Sequence, residues 1–519
     1  MKWGPLNRVW HKLRLFFGIL AGCGLLSPTG APAQSIRLPW SDYAHDPQHT
    51  ALSPAASQPL VNLHWQTPVD LNPQHEGGDP SGDLYIHYGS PLITRSNTVI
   101  VPVKTGAYGG FRIEAHVGTN GVLKWMQSTD YILPPTYDWT PSFSGTLTPK
   151  NRLYFPGAGG TLYYCDSPDS TNTPAIGQIA FYGLANYLAN TNAYLGNVFI
   201  DTPITSDRYG NVFFGFQVTG STPLSLTSGV ARIDYNGTGS WISASATVTD
   251  AAVSQVAMNC APALSNDHKT LYVAVNNGYS GYGYLVALDS RTLMPRARVR
   301  LKDVQFPGND ANVDDDSTAS PTIGPDGDVY FGVLETPWYS NHDRGWLLHF
   351  DSTLSQTKIP GAFGWDDTAS VVPSSLVASY SGSSSYLLMT KYNNYSDPGI
   401  GGNGSNKIAV LDPMNTEIDP VTGATVMKEV LTVLGPTPNT GQPGVREWCI
   451  NTAAIDPFTK SILANSEDGK LYHWDLTCNT LSETFTLTTG VGEAYTPTVI
   501  GVDGTVYAVN DAILFAIGR

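Results

Sequence analysis

The sequence predicts an all-β fold, an eight-bladed β-propeller of four-stranded antiparallel blades whose ring is closed by an N-terminal strand. Three observations predict it. A small residue or Pro, a few apolar residues, a turn and an alternating run ending in aromatics and Gly recur eight times. The 519 residues include 52 Gly and 37 Pro but are only 14% charged, as suits short strands joined by many turns. The last repeat ends after three strands, whereas a lone strand, residues 63–69, lies near the N-terminus.

The repeats differ in clarity but agree in period. Clear copies span residues 261–274, 320–332 and 496–508. Weaker copies begin near Pro91, Pro141, Pro203, Pro373 and Ala453. An apolar residue followed by Asp ends the third strand of five repeats, at Asp234, Asp289, Asp351, Asp412 and Asp475, and the near-constant interval between them supports a single repeat period. We expect these Asp side chains to cap turns by accepting backbone N–H groups.

Residues 1–33 predict an export signal. A basic stretch (residues 2–14) precedes an apolar run (residues 15–26), and small residues lead to a cleavage site after Ala33. The apolar run is too short to span a bilayer. Residues 20–23 also resemble a bacterial lipoprotein box, in which Cys23 would be lipidated, and this alternative stays open. Both interpretations predict a periplasmic or secreted protein.

Two further segments follow the signal. Residues 34–60 are rich in Pro, Ser and Ala and lack periodicity, so we expect an N-terminal strap; residues 61–519 form the predicted propeller. The net charge is −15, and because the predicted signal carries four basic side chains and no acid, the remainder carries −19. Such a charge disfavours nucleic acid and anionic membranes as partners.

The four cysteines beyond the signal predict no metal or redox site. They are Cys165, Cys260, Cys449 and Cys478, without C-x-x-C or His/Cys ligand spacing. An exported protein can form disulfides, and four cysteines allow three pairings among which the sequence does not choose.

One stretch carries a family resemblance. Residues 115–125, Ala-His-Val-Gly-Thr-Asn-Gly-Val-Leu-Lys-Trp, resemble the A-x-D-x-x-T-G-x-x-x-W repeat of the pyrroloquinoline-quinone-type propellers, the quinoprotein dehydrogenase-like family. Residues 287–293 are a partial copy, and residues 41–50 look like the leaders of such propellers. The resemblance covers nearly the whole mature chain and implies the propeller fold. That family includes calcium- and quinone-dependent dehydrogenases, and also cofactor-free scaffolds such as the propeller subunit of the outer-membrane barrel-assembly machinery.

The sequence departs from the dehydrogenase branch of this family. It has no pair of adjacent cysteines, and the Trp that ends each repeat survives only as Trp125 and, one residue out of register, Trp241. No calcium-binding set of Glu, Asn and Asp can be assigned to matching positions. We therefore expect a member without dehydrogenase activity and assign no metal-binding residue; pyrroloquinoline quinone with calcium is the disfavoured alternative, which stays open.

The inner strands of a propeller line its axis, so the loops that enter them form one mouth. The residues just before the inner strands should converge there: His87, Asp138, Trp139, Asp201, Asn259, Asp314, Asp315, Asp316, Asp366, Asp367, Glu447, Trp448 and Glu493. Six of the eight blades offer a carboxylate. Crowded carboxylates repel one another unless a cation, a polyol or a basic partner shares them. The alternative, that each acid caps its own loop, stays open.

Loops between the second and third strands should open on the same face. Several are rich in aromatic residues, namely Tyr108, Tyr279, Tyr282, Trp338, Tyr339, Tyr392 and Tyr395. Flat rings beside acids suit carbohydrate recognition, because rings cover C–H faces while acids bind hydroxyls. The candidate ligand-binding residues are therefore Asp138, Trp139, Asp201, Tyr282, Asp316, Trp338, Tyr339, Asp367, Glu447, Trp448 and Glu493.

No catalytic residue can be assigned. Residues 310–321 begin like a calcium loop but have Asp315 and Pro321 where Gly and Glu are needed. His342 and Asp343 lack a nucleophile motif, and Glu447 with Glu493 would need a suitable separation to act on a sugar. The sequence favours a binding or scaffold module that holds a polyol or carbohydrate, a cation or a protein partner at the mouth. The alternative is an enzyme with its site there, either a quinone-dependent alcohol or aldose dehydrogenase or a polysaccharide-active enzyme.

Overall fold

Eight antiparallel sheets follow one another along the chain in a computed structural model that describes residues 38–75, 78, 84, 87–107, 109–134, 143–315, 317–489, 492 and 494–519. Each sheet is one blade, which confirms the predicted eight-bladed β-propeller. The predicted export signal lies outside the described residues, as do Tyr108, Asp138, Trp139, Pro141, Asp316 and Glu493.

Strand β1 (Asn62–Pro68) precedes the blades. The strands of the first four blades are β2 (Leu92–Ile93), β3 (Thr98–Lys104), β4 (Phe111–Val117) and β5 (Leu123–Thr129); β6 (Thr146–Leu147), β7 (Leu153–Pro156), β8 (Thr161–Cys165) and β9 (Ile176–Ala180); β10 (Val198–Ile200), β11 (Thr205–Ser206), β12 (Val212–Val218), β13 (Gly229–Ile233) and β14 (Gly239–Ser243); β15 (Gln255–Val256), β16 (Ala263–Leu264), β17 (Thr270–Asn276), β18 (Gly281–Asp289) and β19 (Pro295–Arg300), with β20 (Asn312–Val313) paired to β18. Short helices interrupt them in the described chain: α1 (Leu184–Ala189), α2 (Thr191–Leu195) and α3 (Ala244–Val248).

The strands of the last four blades are β21 (Thr322–Ile323), β22 (Val329–Val333) and β23 (Trp346–Phe350); β24 (Ser370–Pro373), β25 (Tyr386–Tyr392), β26 (Lys407–Ile418) and β27 (Thr425–Leu434); β28 (Ala454–Asp456), β29 (Ser461–Asn465), β30 (Lys470–Asp475) and β31 (Thr480–Thr486); β32 (Val499–Ile500), β33 (Val506–Asn510) and β34 (Ile513–Gly518). In the fifth blade residues 357–361 replace the fourth strand and run beside β23 through two isolated bridges.

The ring closes as predicted, because β1 completes the eighth blade. β1 pairs antiparallel with β34, from Asn62 opposite Gly518 to Pro68 opposite Ile513, in the sheet order β1-β34-β33-β32. Trp65 on β1 is buried and its indole Nε1 donates to the carbonyl of Gly118 at 2.8 Å, which ties the last blade to the first. β1 therefore covers the edge of β34 that would otherwise be exposed at the junction of the first and last blades.

The burial of a strand depends on its place in the blade. Every residue of β3 and of β25 is buried, as expected for strands covered on both faces. Outermost β31 instead alternates exposed and partly buried residues, the period-2 pattern of a strand with one face in water. The strand-ending Asp residues cap turns as predicted. Asp234 Oδ1, for example, accepts from the backbone N–H of Asn236 at 2.9 Å and of Thr238 at 2.8 Å.

One inner strand begins and ends earlier in the sequence than predicted. The sixth inner strand is β24, so it begins three residues before Pro373 and Pro373 ends it. Proline has no N–H to give to a sheet ladder and is tolerated at such an end. No disulfide joins Cys165, Cys260, Cys449 and Cys478 in the described chain, and no helix within it is long and apolar enough to cross a membrane.

The described part of the strap crosses one end of the ring and touches every blade. Main-chain or carboxylate groups of residues 40–58 form hydrogen bonds of 2.7–3.0 Å with backbone groups beside the inner strands. These partners are, in blade order, Ile93, Leu147, Ser206, Leu264, Ile323, Val371, Ile455 and Gly504. Trp40, Tyr43, Ala44 and His49 are buried within it. The strap therefore closes the end of the axial channel opposite the predicted mouth.

Breaks in the inner strands position side chains at the mouth. In the third blade β10 and β11 both pair with β12, and Asp201 lies between them. In the fourth blade β15 and β16 both pair with β17, and Asn259 lies between them with φ 59°. Asp366, before β24, has φ 56°. Asn and Asp tolerate this left-handed conformation better than other non-glycine residues, and it turns the chain toward the axis.

Candidate functional site

A cavity of about 260 Å³ opens at the mouth. Its described lining combines acids, aromatic rings and one histidine: His87, Asp343, Trp365, Asp366, Tyr395, Asp397, Ile400, Glu447 and Tyr495. Loops before the inner strands supply His87, Trp365, Asp366, Glu447 and Tyr495, whereas the loops after β22 and β25 supply the others. We call it the axial cavity.

A buried ion pair lies behind the axial cavity. The side chain of Lys391, at the end of β25, is 0% exposed, and its Nζ lies 3.1 Å from Asp366 Oδ2. Burial lowers the pKa of Lys391, but the negative groups around it, led by Asp366, together outweigh burial and leave the pKa above its ordinary value. The ammonium also lies 5.2 Å from the ring centroid of Tyr495. Lys391 is therefore a fixed cation that neutralises one carboxylate of the mouth.

The neighbouring carboxyl of Asp367 takes part in the same cluster. Its Oδ2 accepts from Thr390 Oγ1 at 2.5 Å and from the backbone N–H of Lys391 at 3.1 Å. Burial raises the pKa of Asp367 to about 7, although the charge of Lys391 opposes the rise. Asp367 is thus about half protonated near pH 7.

His87 is a neutral part of the lining. Its Nδ1 accepts from the Asn259 amide at 2.8 Å, and its ring meets Tyr495 edge-on at 5.7 Å. Burial lowers the pKa of His87 to about 4, so the imidazole carries no charge at neutral pH.

Two further buried carboxyls follow in blades 3 and 5. Both carboxyl oxygens of Asp201 are buried and make no hydrogen bond with the described residues. Burial, then the charge of Asp315, raise the pKa of Asp201 well above its ordinary range. Asp315 instead accepts from the Asn276 amide at 2.8 Å and the Met258 N–H at 3.1 Å, and burial raises its pKa to about 7. Asp201 is therefore a neutral acid, without a charge to present to a ligand.

The rim carries two acids that no basic side chain neutralises. Within the described chain no ion pair joins Asp343 or Asp397 to Lys, Arg or His. Burial, then the charges of Glu335 and Asp397, raise the pKa of Asp343 to about 7. Among the described residues, Asp397 Oδ1 accepts from the Gln442 amide alone, at 2.8 Å. A cation in the axial cavity would relieve this repulsion.

A third group lies at one side of the mouth. Ligating atoms of Glu447, Cys449 and Glu467 all lie within 4.8 Å of one another. Cys449 Sγ lies 3.5 Å from Glu467 Oε2, and Arg446 pairs with Glu467 Oε1 at 3.0 Å. Because Arg446 already neutralises Glu467, this group does not need a metal ion to be stable.

The sequence-predicted site residues are only partly brought together. Glu447 lines the axial cavity, and Asp367 and Asp201 lie in the wall behind it. Trp448 is fully buried in the core, where its ring meets Tyr472 edge-on at 5.4 Å.

Tyr395 lines the axial cavity, but the candidate ligand-binding residues Tyr282, Trp338 and Tyr339 lie away from its described lining. Trp338 and Tyr339 are 58% and 46% exposed. Tyr282 instead stacks under Arg300, whose guanidinium carbon lies 3.8 Å from its ring centroid. His342 does not bond to Asp343 but lies 2.7 Å from Asn394 Oδ1 through its Nδ1.

Sequence reasoning missed Trp365, Lys391 and Asp397. Trp365 directly precedes the Asp pair that was selected, and Asp397 follows Tyr395 in a loop that was selected for its rings. Lys391 gave no comparable signal, because Thr390-Lys391-Tyr392 has the alternation of an ordinary strand. A buried Lys beside acids becomes visible only when the strand end is placed at the axis.

Pyrroloquinoline quinone, which the family resemblance implies, does not fit the axial cavity. The quinone is a planar tricarboxylate, and carboxylates are bound by Arg and Lys. The described lining has four acids, Asp343, Asp366, Asp397 and Glu447, but no Arg or Lys. Calcium needs several oxygen ligands, whereas the group of three ligands found among the described residues includes a thiol.

The fold is similar to solved structures at low sequence identity. A europium-containing methanol dehydrogenase matches with a TM-score of 0.53 and 10% identity over 91% of this chain and 89% of that chain. A quinohemoprotein alcohol dehydrogenase from Comamonas testosteroni matches with a TM-score of 0.52 and 11% identity over 94% and 82%. Sqt1 from Saccharomyces cerevisiae matches with a TM-score of 0.50 and 10% identity over 89% and 99%. No protein-family model and no curated protein matches the sequence. These likenesses concern the fold alone.

Proposed function

We propose that this protein is an exported binding module whose axial cavity takes a small organic cation. One observation carries the proposal: Asp343 and Asp397, acids without an ion-pair partner in the described chain, share the cavity with Trp365, Tyr395 and Tyr495. Carboxylates attract a positive charge, and aromatic faces attract it through their quadrupoles. The fixed cation Lys391 lies behind the wall, so it does not fill the cavity itself.

The arrangement favours an organic cation over a metal ion. Calcium and magnesium need several oxygens within about 2.0–2.6 Å of the ion. The acids of the cavity do not converge in that way, since the ligand group found in the described chain combines Glu447 with Cys449 and Glu467. A quaternary or primary ammonium is larger and is served by separated carboxylates and ring faces.

We expect tetramethylammonium to bind and its neutral isostere tert-butanol not to bind. Asp343→Asn and Asp397→Asn should each weaken binding roughly tenfold, because each removes one charged contact. Isothermal titration calorimetry of the mature protein measures this. Asp166→Asn is a matched control, because the Asp166 side chain is 62% exposed and pairs with Arg152 outside the cavity. Equal affinity of the three variants, or tighter binding of calcium than of tetramethylammonium, would contradict the proposal.

We further propose that residues 1–33 direct export and that the mature chain consists of the strap (residues 34–60) and the propeller (residues 61–519). The basic stretch, the apolar run and the small residues before Gln34 support cleavage after Ala33. The N-terminal residue of the exported protein distinguishes the alternatives. Gln34 at the N-terminus supports cleavage, whereas a lipidated Cys23 would assign a membrane anchor instead.

A further inference from the structure

A groove of about 810 Å³ lies between blades 2 and 3, far along the sheets from the inner strands. Its walls are residues 178–184, Leu224 and residues 236–241, which include parts of the outermost strands β9 and β14. At one point the blades touch, since a Cβ on Gly239 would lie 1.9 Å from the Phe181 carbonyl oxygen. We call this feature the outer groove.

The outer groove differs from the axial cavity in charge. None of its described lining residues is Asp, Glu, Lys, Arg or His, although the chain carries a net charge of −15. An ionic ligand would lose hydration there without gaining an ion-pair partner. The groove therefore suits a neutral ligand.

Several of its polar side chains lack hydrogen-bond partners within the described chain, whereas those of Gln178 and Tyr182 have partners. The side chains of Asn236 and Thr238 and the indole N–H of Trp241 make no hydrogen bond with described residues. A ligand rich in hydroxyl groups would supply both donors and acceptors to this set.

Trp241 is not buried in the way that its repeat position predicts. Trp125, the other surviving repeat Trp, is buried, and its Nε1 donates to the Pro168 carbonyl at 2.9 Å. Trp241 is only partly buried and meets Phe216 edge-on at 6.0 Å. Its indole therefore contributes a face to the groove, beside the apolar side chains of Leu184 and Leu224.

We propose that the outer groove is a second binding site, for a neutral oligosaccharide. Sugar rings have apolar C–H faces that pack on an indole and hydroxyls that bond to amides and hydroxyl groups. The volume of about 810 Å³ lies within the range of small-ligand sites. This inference is independent of the axial cavity, which lies at the other edge of the blades.

The test is calorimetric titration of the mature protein with cellotriose, maltotriose and triacetylchitotriose, with trigalacturonate as the charged counterpart. At least one neutral trisaccharide should bind, and trigalacturonate should bind at least roughly tenfold more weakly. Trp241→Ala should lower the affinity for the bound trisaccharide roughly tenfold. Asn236→Ala, at an exposed position, should lower it several-fold without affecting folding.

Phe458→Ala is the matched control, because Phe458 is 61% exposed and lies outside the groove, so the affinity should not change. Three outcomes would overturn the proposal. The first is that no neutral trisaccharide binds at millimolar concentration. The second is that trigalacturonate binds as tightly as the neutral trisaccharides. The third is that Trp241→Ala and Asn236→Ala bind with the same affinity as the control.

Discussion

Lys391→Met should lower the free energy of unfolding by about 3–5 kcal/mol at pH 8, because it leaves a buried carboxylate without its cation. Lys391 is 0% exposed and its Nζ is 3.1 Å from Asp366 Oδ2. The loss should shrink as the pH is lowered, because Asp367 beside the pair can then take up a proton. In the wild type the pKa of Asp367 is already raised from 3.8 to about 7. The ionisation of Asp367 therefore destabilises the folded state above pH 7. This destabilisation is relieved as the pH falls from about 7 toward 3.8.

Denaturant unfolding of two further variants makes this test specific. Lys407 pairs with Glu429 at 2.6 Å, but their side chains are 25% and 18% exposed, so Lys407→Met should lower the free energy of unfolding by less than Lys391→Met does. Lys391→Met combined with Asp366→Asn should recover much of the loss. A loss in Lys391→Met no larger than in Lys407→Met would contradict the buried ion pair.

Trp40→Ala should lower the free energy of unfolding by about 3–5 kcal/mol, since it leaves a large void in the strap. Trp40 is 1% exposed and forms two backbone hydrogen bonds with Ile93, of 3.0 and 2.9 Å. Its ring meets His45 edge-on at 4.9 Å. Because the strap touches every blade, its loosening should weaken the whole ring rather than one blade.

Leu38→Ala is the matched control for the strap. Leu38 lies two residues away and is 46% exposed, so its truncation should change stability by no more than about 0.5 kcal/mol. Thermal and denaturant unfolding of the two variants give the comparison. Indistinguishable midpoints would mean that the strap does not stabilise the ring.

The ring was predictable because its signals are periodic and local. Strand-ending Asp residues recur at a near-constant interval, and each caps a turn whatever lies around it. The closing strand could be predicted because the last repeat has only three strands and a lone strand lies near the N-terminus. The start of the sixth inner strand was predicted near Pro373, but Pro373 ends β24, because both the start and the end of a strand tolerate proline.

The sequence predicts where the candidate site lies in the ring but not how its side chains are oriented. Topology alone brings Asp201, Asp367 and Glu447 toward the axis. Successive side chains of an extended chain point to opposite sides, so Trp448 packs on Tyr472 while Glu447 and Cys449 face the mouth. Tyr339 has φ 67°, and neither it nor Trp338 lines the axial cavity. Such reversals depend on loop geometry that residue types do not encode.

The protons released when tetramethylammonium binds at pH 7 test the central claim, cation binding in the axial cavity, most directly. This ion has no proton to lose, so any release comes from the protein. The pKa of Asp343 is about 7, and a nearby cation lowers it. Calorimetry in two buffers of different ionisation enthalpy should therefore report release of up to about half a proton, and Asp343→Asn should reduce it. Binding without proton release, or no binding, would contradict the claim.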